Sequence, residues 1–200
     1  MTKLSPGNKD IPDTQTVDGD VNATVVSPID TVSEAVEVID YAHHEVHEGD
    51  HYTFSAFDSD LDDAAVLEFI VTTPDTTRWS HMVGTIIGAL HTDFYMYEDT
   101  THSTGAAQSV LNNNRNSSNT AGTTVHASGG GGADGTLLFS TSFGIDTGSG
   151  SNTRTGGGGA RAENEWMLKQ NTKYLFRITS HSANNNVAMI LSWYEHINAA

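Results

Sequence analysis

Residues His47-Glu48-Gly49-Asp50-His51 spell H-E-x-x-H, the pattern in which two histidines one helical turn apart hold a zinc ion and the glutamate acts as general base. Gly49 inside that turn costs roughly 1 kcal/mol, and Asp50 is also a poor helix former. The flanking stretches "VEVIDYAHHEVH" and "HYTFSAF" alternate with period two and predict strands on either side. On a strand His43 and His47 stand about 13 Å apart at a rise of ~3.3 Å per residue. One ion with bonds of about 2.0–2.1 Å cannot bridge that gap. Glu45 paired with His43 or His47 is the weak metal alternative here. The expected structure is a hairpin turn at Glu48-Gly49-Asp50, with no catalytic site.

Other stretches imitate chemistry and fall short of it. Asp146-Thr147-Gly148-Ser149 copies the loop of an aspartic protease, whose mechanism needs two carboxylates sharing a proton. Only one copy is present. Asp58, Asp60 and Asp62 occupy the first, third and fifth places of a calcium loop, a second weak metal alternative. Asp63 then stands where glycine belongs, and Glu68 falls one position early. The glycine runs have no following Lys-Ser/Thr and so cradle no phosphate, and no G-x-S-x-G elbow occurs. No catalytic residue, resident metal or cofactor is expected.

The run "LNNNRNSSNTAGTTV" is different in kind. Its amides and hydroxyls can satisfy irregular backbone through side-chain hydrogen bonds, and Arg115 adds five donors. Asn112, Asn113, Asn114, Arg115 and Asn116 are the candidate contacts between subunits, with Arg154 and Arg161 of a second loop.

The elements that must carry these residues are strands. Nine candidates run from residue 36 to 195, rich in aromatic and β-branched side chains with turn residues between them. They are "VEVIDYAHHEVH", "HYTFSAF", "AVLEFIVTT", "RWSHMV", "TIIGALHTDFYMYE", "GTLLFSTSF", "ENEWMLK", "TKYLFRITS" and "VAMILSWYE". The expected fold is all-β, an antiparallel two-sheet sandwich of jelly-roll type, over residues 35–200. Leu175, Ile178, Ile190 and Trp193 are its expected core. Residues 1–34, proline-bearing and acidic without periodicity, read as an extended arm. Two long inserts, at about 100–135 and 144–162, interrupt the strands, and twelve of the 19 glycines fall between Gly129 and Gly159. Inserts of that length are uncommon inside a compact domain unless they function.

Charge excludes whole classes. The formal net charge is −16, and the acids are concentrated in the first third, where only Lys3 and Lys9 oppose them. Nucleic acid repels such a surface. No run approaches the ~20 apolar residues of a membrane span, and "MTKLSPGNKD" lacks the apolar region of a secretory signal. Without cysteine, no disulfide framework or thiolate site exists.

Three segments, "YAHHEVHEGDHYTFSAFD", "NNNRNSSNTAGTTV" and "GGGGARAENEWMLKQNTKYLFRITS", followed by the aromatic strand "ILSWYE", resemble in their order a family of small structural proteins of tailed bacteriophages. The resemblance spans roughly residues 36–196 and leaves residues 1–35 as an extension. It implies a decoration (cement) or head-fibre-type protein, a homotrimer on the exterior of the virion that contacts the major capsid protein, with no catalytic residues. The rivals are a tail-tip or fibre module stacking a host glycan on Trp79, Tyr95, Tyr97 and Trp166, a metal enzyme using His47 and His51, and a protein of the capsid interior. The last is disfavoured because packaged DNA would face the acidic first third.

Overall fold

Eleven strands and one short helix make up residues 41–144 and 165–197, the residues the computed structural model describes. Helix α1 (Tyr41–Glu48) leads into β1 (His51–Leu61), β2 (Val66–Thr72), β3 (Arg78–Gly88) and β4 (Thr92–Glu98). The first insert then contributes β5 (Ser103–Ala107), β6 (Leu111–Asn112) and β7 (Thr124–Gly130). The chain closes with β8 (Thr136–Phe143), β9 (Trp166–Leu168), β10 (Lys173–Ser180) and β11 (Asn185–Ile197).

Two antiparallel sheets face each other, in the orders β6-β1-β11-β3-β9 and β5-β7-β2-β10-β4-β8. Setting aside β5, β6 and β7, the remaining eight strands run β1-β11-β3-β9 against β2-β10-β4-β8. Successive strands β1 to β4 alternate between sheets, and β10 and β11 slot between the earlier pairs. This interleaving is the strand order of a jelly roll, and the expected architecture holds. The insert strands extend it at one edge of each sheet: β6 lies beside β1, while β7 and β5 continue outward from β2.

Period-two patterning decides which side chains meet. On β1, Tyr52 and Phe54 point inward, opposite Trp193 and Leu191 of β11. On β10, Tyr174, Phe176 and Ile178 meet them from the other sheet, beside Phe69 and Val71 of β2 and Phe94 and Met96 of β4. All are buried, and each side chain of this size contributes about 1.5–3 kcal/mol when removed from water. Leu175, Ile178 and Trp193 are fully buried as expected; Ile190 is not, because it faces outward from β11 and is half-covered.

Three expectations need correction. Residues 41–48 are helical, not extended. Ala42, Glu45, Val46 and Gly49 are the covered positions, a helical spacing, while His43, His44, His47 and Glu48 are exposed. "RWSHMV" and "TIIG" form one strand, β3, with the break falling later, at Ala89 to His91. The first insert is ordered by three strands of its own and is not a structureless loop. The arm 1–34, the DTGS imitation at 146–149, Arg154, Arg161 and nearly all of the second insert lie outside the described residues.

Candidate functional site

The H-E-x-x-H pattern and the asparagine run, remote in sequence, meet in space. Helix α1 ends in a Schellman motif: the Asp50 amide donates to the Glu45 carbonyl at 3.0 Å and the Gly49 amide to the Val46 carbonyl at 3.2 Å. Gly49 takes the left-handed conformation this requires, with φ +81°. A Cβ there would also strike the Ser117 hydroxyl at 2.3 Å. His47 is therefore in the last turn of a helix and His51 opens a strand, so the two never share a helical face. The chain does reverse at this motif, but as the cap of a helix and not as the expected hairpin turn, because the strand expected before it is helical.

The asparagines close over that helix end. Asn112, buried on β6, donates its side-chain amide to the Gly49 carbonyl at 2.7 Å and to the Asn119 carbonyl at 3.1 Å. Asn114 donates to the His47 carbonyl at 3.0 Å. The Asn113 side chain bridges His51 at 2.7 Å and Thr53 at 2.8 Å, and its backbone amide donates to the His51 carbonyl. Within the loop, the backbone amides of Asn114, Asn116 and Asn119 donate to the side chains of Asn112, Asn114 and Ser117, a chain of local turns. Two carbonyls near the helix end thus find side-chain partners in place of water. Asn112 and Asn114 work within the subunit. Asn113, Arg115 and Asn116 lie at the surface, where Arg115 reaches back to the Asn112 carbonyl at 3.4 Å.

Below the loop sits a buried carboxylate that sequence patterning missed. Glu195 is 2% exposed and accepts from the amides of Gly122 at 2.9 Å and Thr123 at 2.8 Å and from the Trp193 indole at 3.0 Å. It holds the far end of the asparagine segment against β11. Asp50 ties the near end, pairing with Arg78 at 3.0 Å and accepting from Asn119 at 3.2 Å. Burial, with Asp50 and Glu195 nearby, pushes the Tyr52 phenol up to about 12. A cleft of about 260 Å³ opens beside this segment, lined in part by Tyr52, Val110, Asn112, Thr123 and His126. It falls just short of the ~300–1,000 Å³ typical of small-molecule sites.

The weak metal alternatives do not assemble. On the helix, His43 and His47 stand side by side with ring nitrogens 3.0 Å apart, while Glu45 turns to the buried side. Helical geometry thus overturns both the wide histidine separation expected on a strand and the pairing of Glu45 with either ring. Asp58 and Asp60 lie on β1, where the Asp60 amide turns back onto Asp58 at 2.9 Å, and they form no ligand cage with Asp62. Among the described residues, one group brings three metal-ligating side chains together: His91, Asp93 and His181, with ligand atoms within 4.8 Å of one another. The sequence signal for it, His-Thr-Asp, is short, and its third member lies far along the chain on another turn.

The four aromatic residues of the glycan reading divide between the sheets. Tyr95 and Tyr97 stack at 6.0 Å on the outer face of the six-stranded sheet, while Trp79 and Trp166 belong to the five-stranded one. No helix among the described residues is long and apolar enough to cross a membrane. Comparison with protein-family models, with curated proteins and with solved structures finds no match.

Proposed function

We propose that this chain is a non-enzymatic structural protein of a tailed-phage virion, a decoration (cement) protein that self-associates, as a trimer, on the outer surface of the head and contacts the major capsid protein there. The resemblance of three segments of its sequence, in the same order, to that family supports the assignment. The observation that carries self-association is a row of uncovered apolar side chains on the outer face of the five-stranded sheet. Phe57, 69% exposed, and Ile87, 49% exposed, flank Ala188 in one ladder row, with Ile190 two positions along β11 on the same face. Contiguous apolar surface of this kind supports reading this face as a contact between copies. The strand β8 adds exposed Leu137 and Phe139, and among the described residues it is an edge strand, with a side on which another chain can add.

Light scattering of the full chain tests the reading. A trimer is expected, and Phe57→Ser with Ile87→Ser is expected to yield monomers whose far-ultraviolet spectrum is unchanged. A wild-type monomer that also fails to bind decoration-free capsids would overturn the proposal. The second reading, a glycan-binding fibre module, draws on the stacked pair Tyr95–Tyr97 with the Arg177 guanidinium 5.6 Å from the Tyr97 ring. Immunogold labelling of the tail, with glycan binding lost in Tyr97→Ala, would favour it.

A further inference from the structure

We propose that His91, Asp93 and His181 form a binding site for one divalent first-row transition ion, of the zinc, cobalt or nickel kind, at the end of the sandwich where the β3–β4 and β10–β11 turns meet. Two imidazoles and one carboxylate are a donor set suited to such an ion, with water completing its coordination.

The geometry is close to what binding needs. His181 Nε2 lies 2.8 Å from Asp93 Oδ2, and His91 Nε2 lies 3.8 Å from Asp93 Oδ1. The two rings are 4.6 Å apart between centroids and tilted by 35°. Ligand atoms around a tetrahedral ion with bonds of about 2.0–2.2 Å stand roughly 3.3 Å apart, so small side-chain rotations close the site.

The backbone beneath it is fixed. Asn185, fully buried, donates to the carbonyl of His91 at 3.4 Å, to Thr92 at 3.0 Å and to Ser180 at 3.1 Å, and accepts from the Leu90 amide at 2.9 Å. The His181 amide donates to the His91 carbonyl at 3.0 Å. The end of β8 packs against the same turn, since a Cβ on Gly144 would meet the Leu90 carbonyl at 2.2 Å. Two turns that are remote in sequence are thereby held at constant separation, which lowers the entropy cost of bringing their histidines to one ion.

An outer partner orients the carboxylate, as around known metal centres: the Tyr95 hydroxyl donates to Asp93 Oδ2 at 3.0 Å. Ser142, 3.2 Å from His91 Nε2, would yield that nitrogen to the ion. The ion would tie together β4 and the two turns, a staple on the same sheet edge as β8.

The test is zinc and cobalt binding to the full, metal-free chain, followed by calorimetry and by the visible spectrum of cobalt. The expected result is one ion per chain, a rise in melting temperature on loading, and a loss of affinity of about tenfold or more in His181→Gln and in Asp93→Asn. The metal-free variants should melt with the wild type, His181→Gln serving as the fallback because it sits on a turn. Absence of saturable binding overturns the site. So does binding that survives both substitutions but disappears in His43→Ala with His47→Ala, which would assign the ion to the helix pair. Light scattering on the same variants reads self-association separately, so failure here is distinct from failure of the virion reading.

Discussion

Gly49 shows how one residue can serve two constraints. Its left-handed backbone ends α1, and its missing Cβ leaves room for the Ser117 hydroxyl. A Gly49→Ala chain must adopt a conformation that costs an L-residue about 1–2 kcal/mol and must also displace the asparagine segment. Urea denaturation is expected to report a loss of at least that size. Asn112 acts through its side-chain amide, which is spent on backbone carbonyls. Asn112→Ala leaves the Gly49 carbonyl buried and unpaired, and the same denaturation experiment should show a loss of about 1–3 kcal/mol. The histidines of the motif are exposed on the helix or bound to Asn113, and their spacing in the sequence carries no chemistry.

The insert between β4 and β8 is held by the same logic at the level of elements. Arg177, on the outer face of β10, grips Asp134 with both terminal nitrogens at 2.7 and 2.8 Å, while its Nε bonds Glu68 on β2. His102, buried in the insert, reaches Asp134 at 2.9 Å. Ile70 and Leu175, paired across β2 and β10 on that same face, are fully buried although they point away from the sandwich core. The Arg177 hydrogen bonds hold the Asp134 carboxyl below its ordinary range. Its contribution is therefore complete above the unfolded value of about 3.8 and is lost as pH falls through the lower folded value. Hydrogen exchange across the Gly131 to Gly135 turn is expected to accelerate in that acid window, ahead of global unfolding. Asp134→Asn is expected to show the fast exchange already at neutral pH.

Over the whole molecule, the described strands of the jelly roll all lie between His51 and Ile197. Deletion of residues 1–30 is therefore expected to leave a folded protein with cooperative melting. Under the virion reading the truncated protein still self-associates and no longer binds capsids; retained capsid binding would show that the deleted segment is not the docking arm. On the same reading the apolar row Phe57–Ala188–Ile87 serves copies of the chain, while the acids of the first third favour solvation.

The all-β class, the inward faces of β1, β10 and β11 and the turn at Gly49 are legible in the amino-acid sequence, because alternation of side chains and the backbone demands of glycine are local properties. Residues 41–48 are ambiguous to local patterning because Tyr41, Ala42 and Val46 suit a short strand as well as a helix, and the contacts of Asn112 and Asn114 with the end of α1 come from a remote segment that no local window includes. The same holds for Glu195, Arg177 and the trio His91, Asp93 and His181: each acquires its partners from segments remote in the chain. Which polar side chains meet was decided by the interleaving of two sheets, since strand order is a long-range choice that no local window encodes.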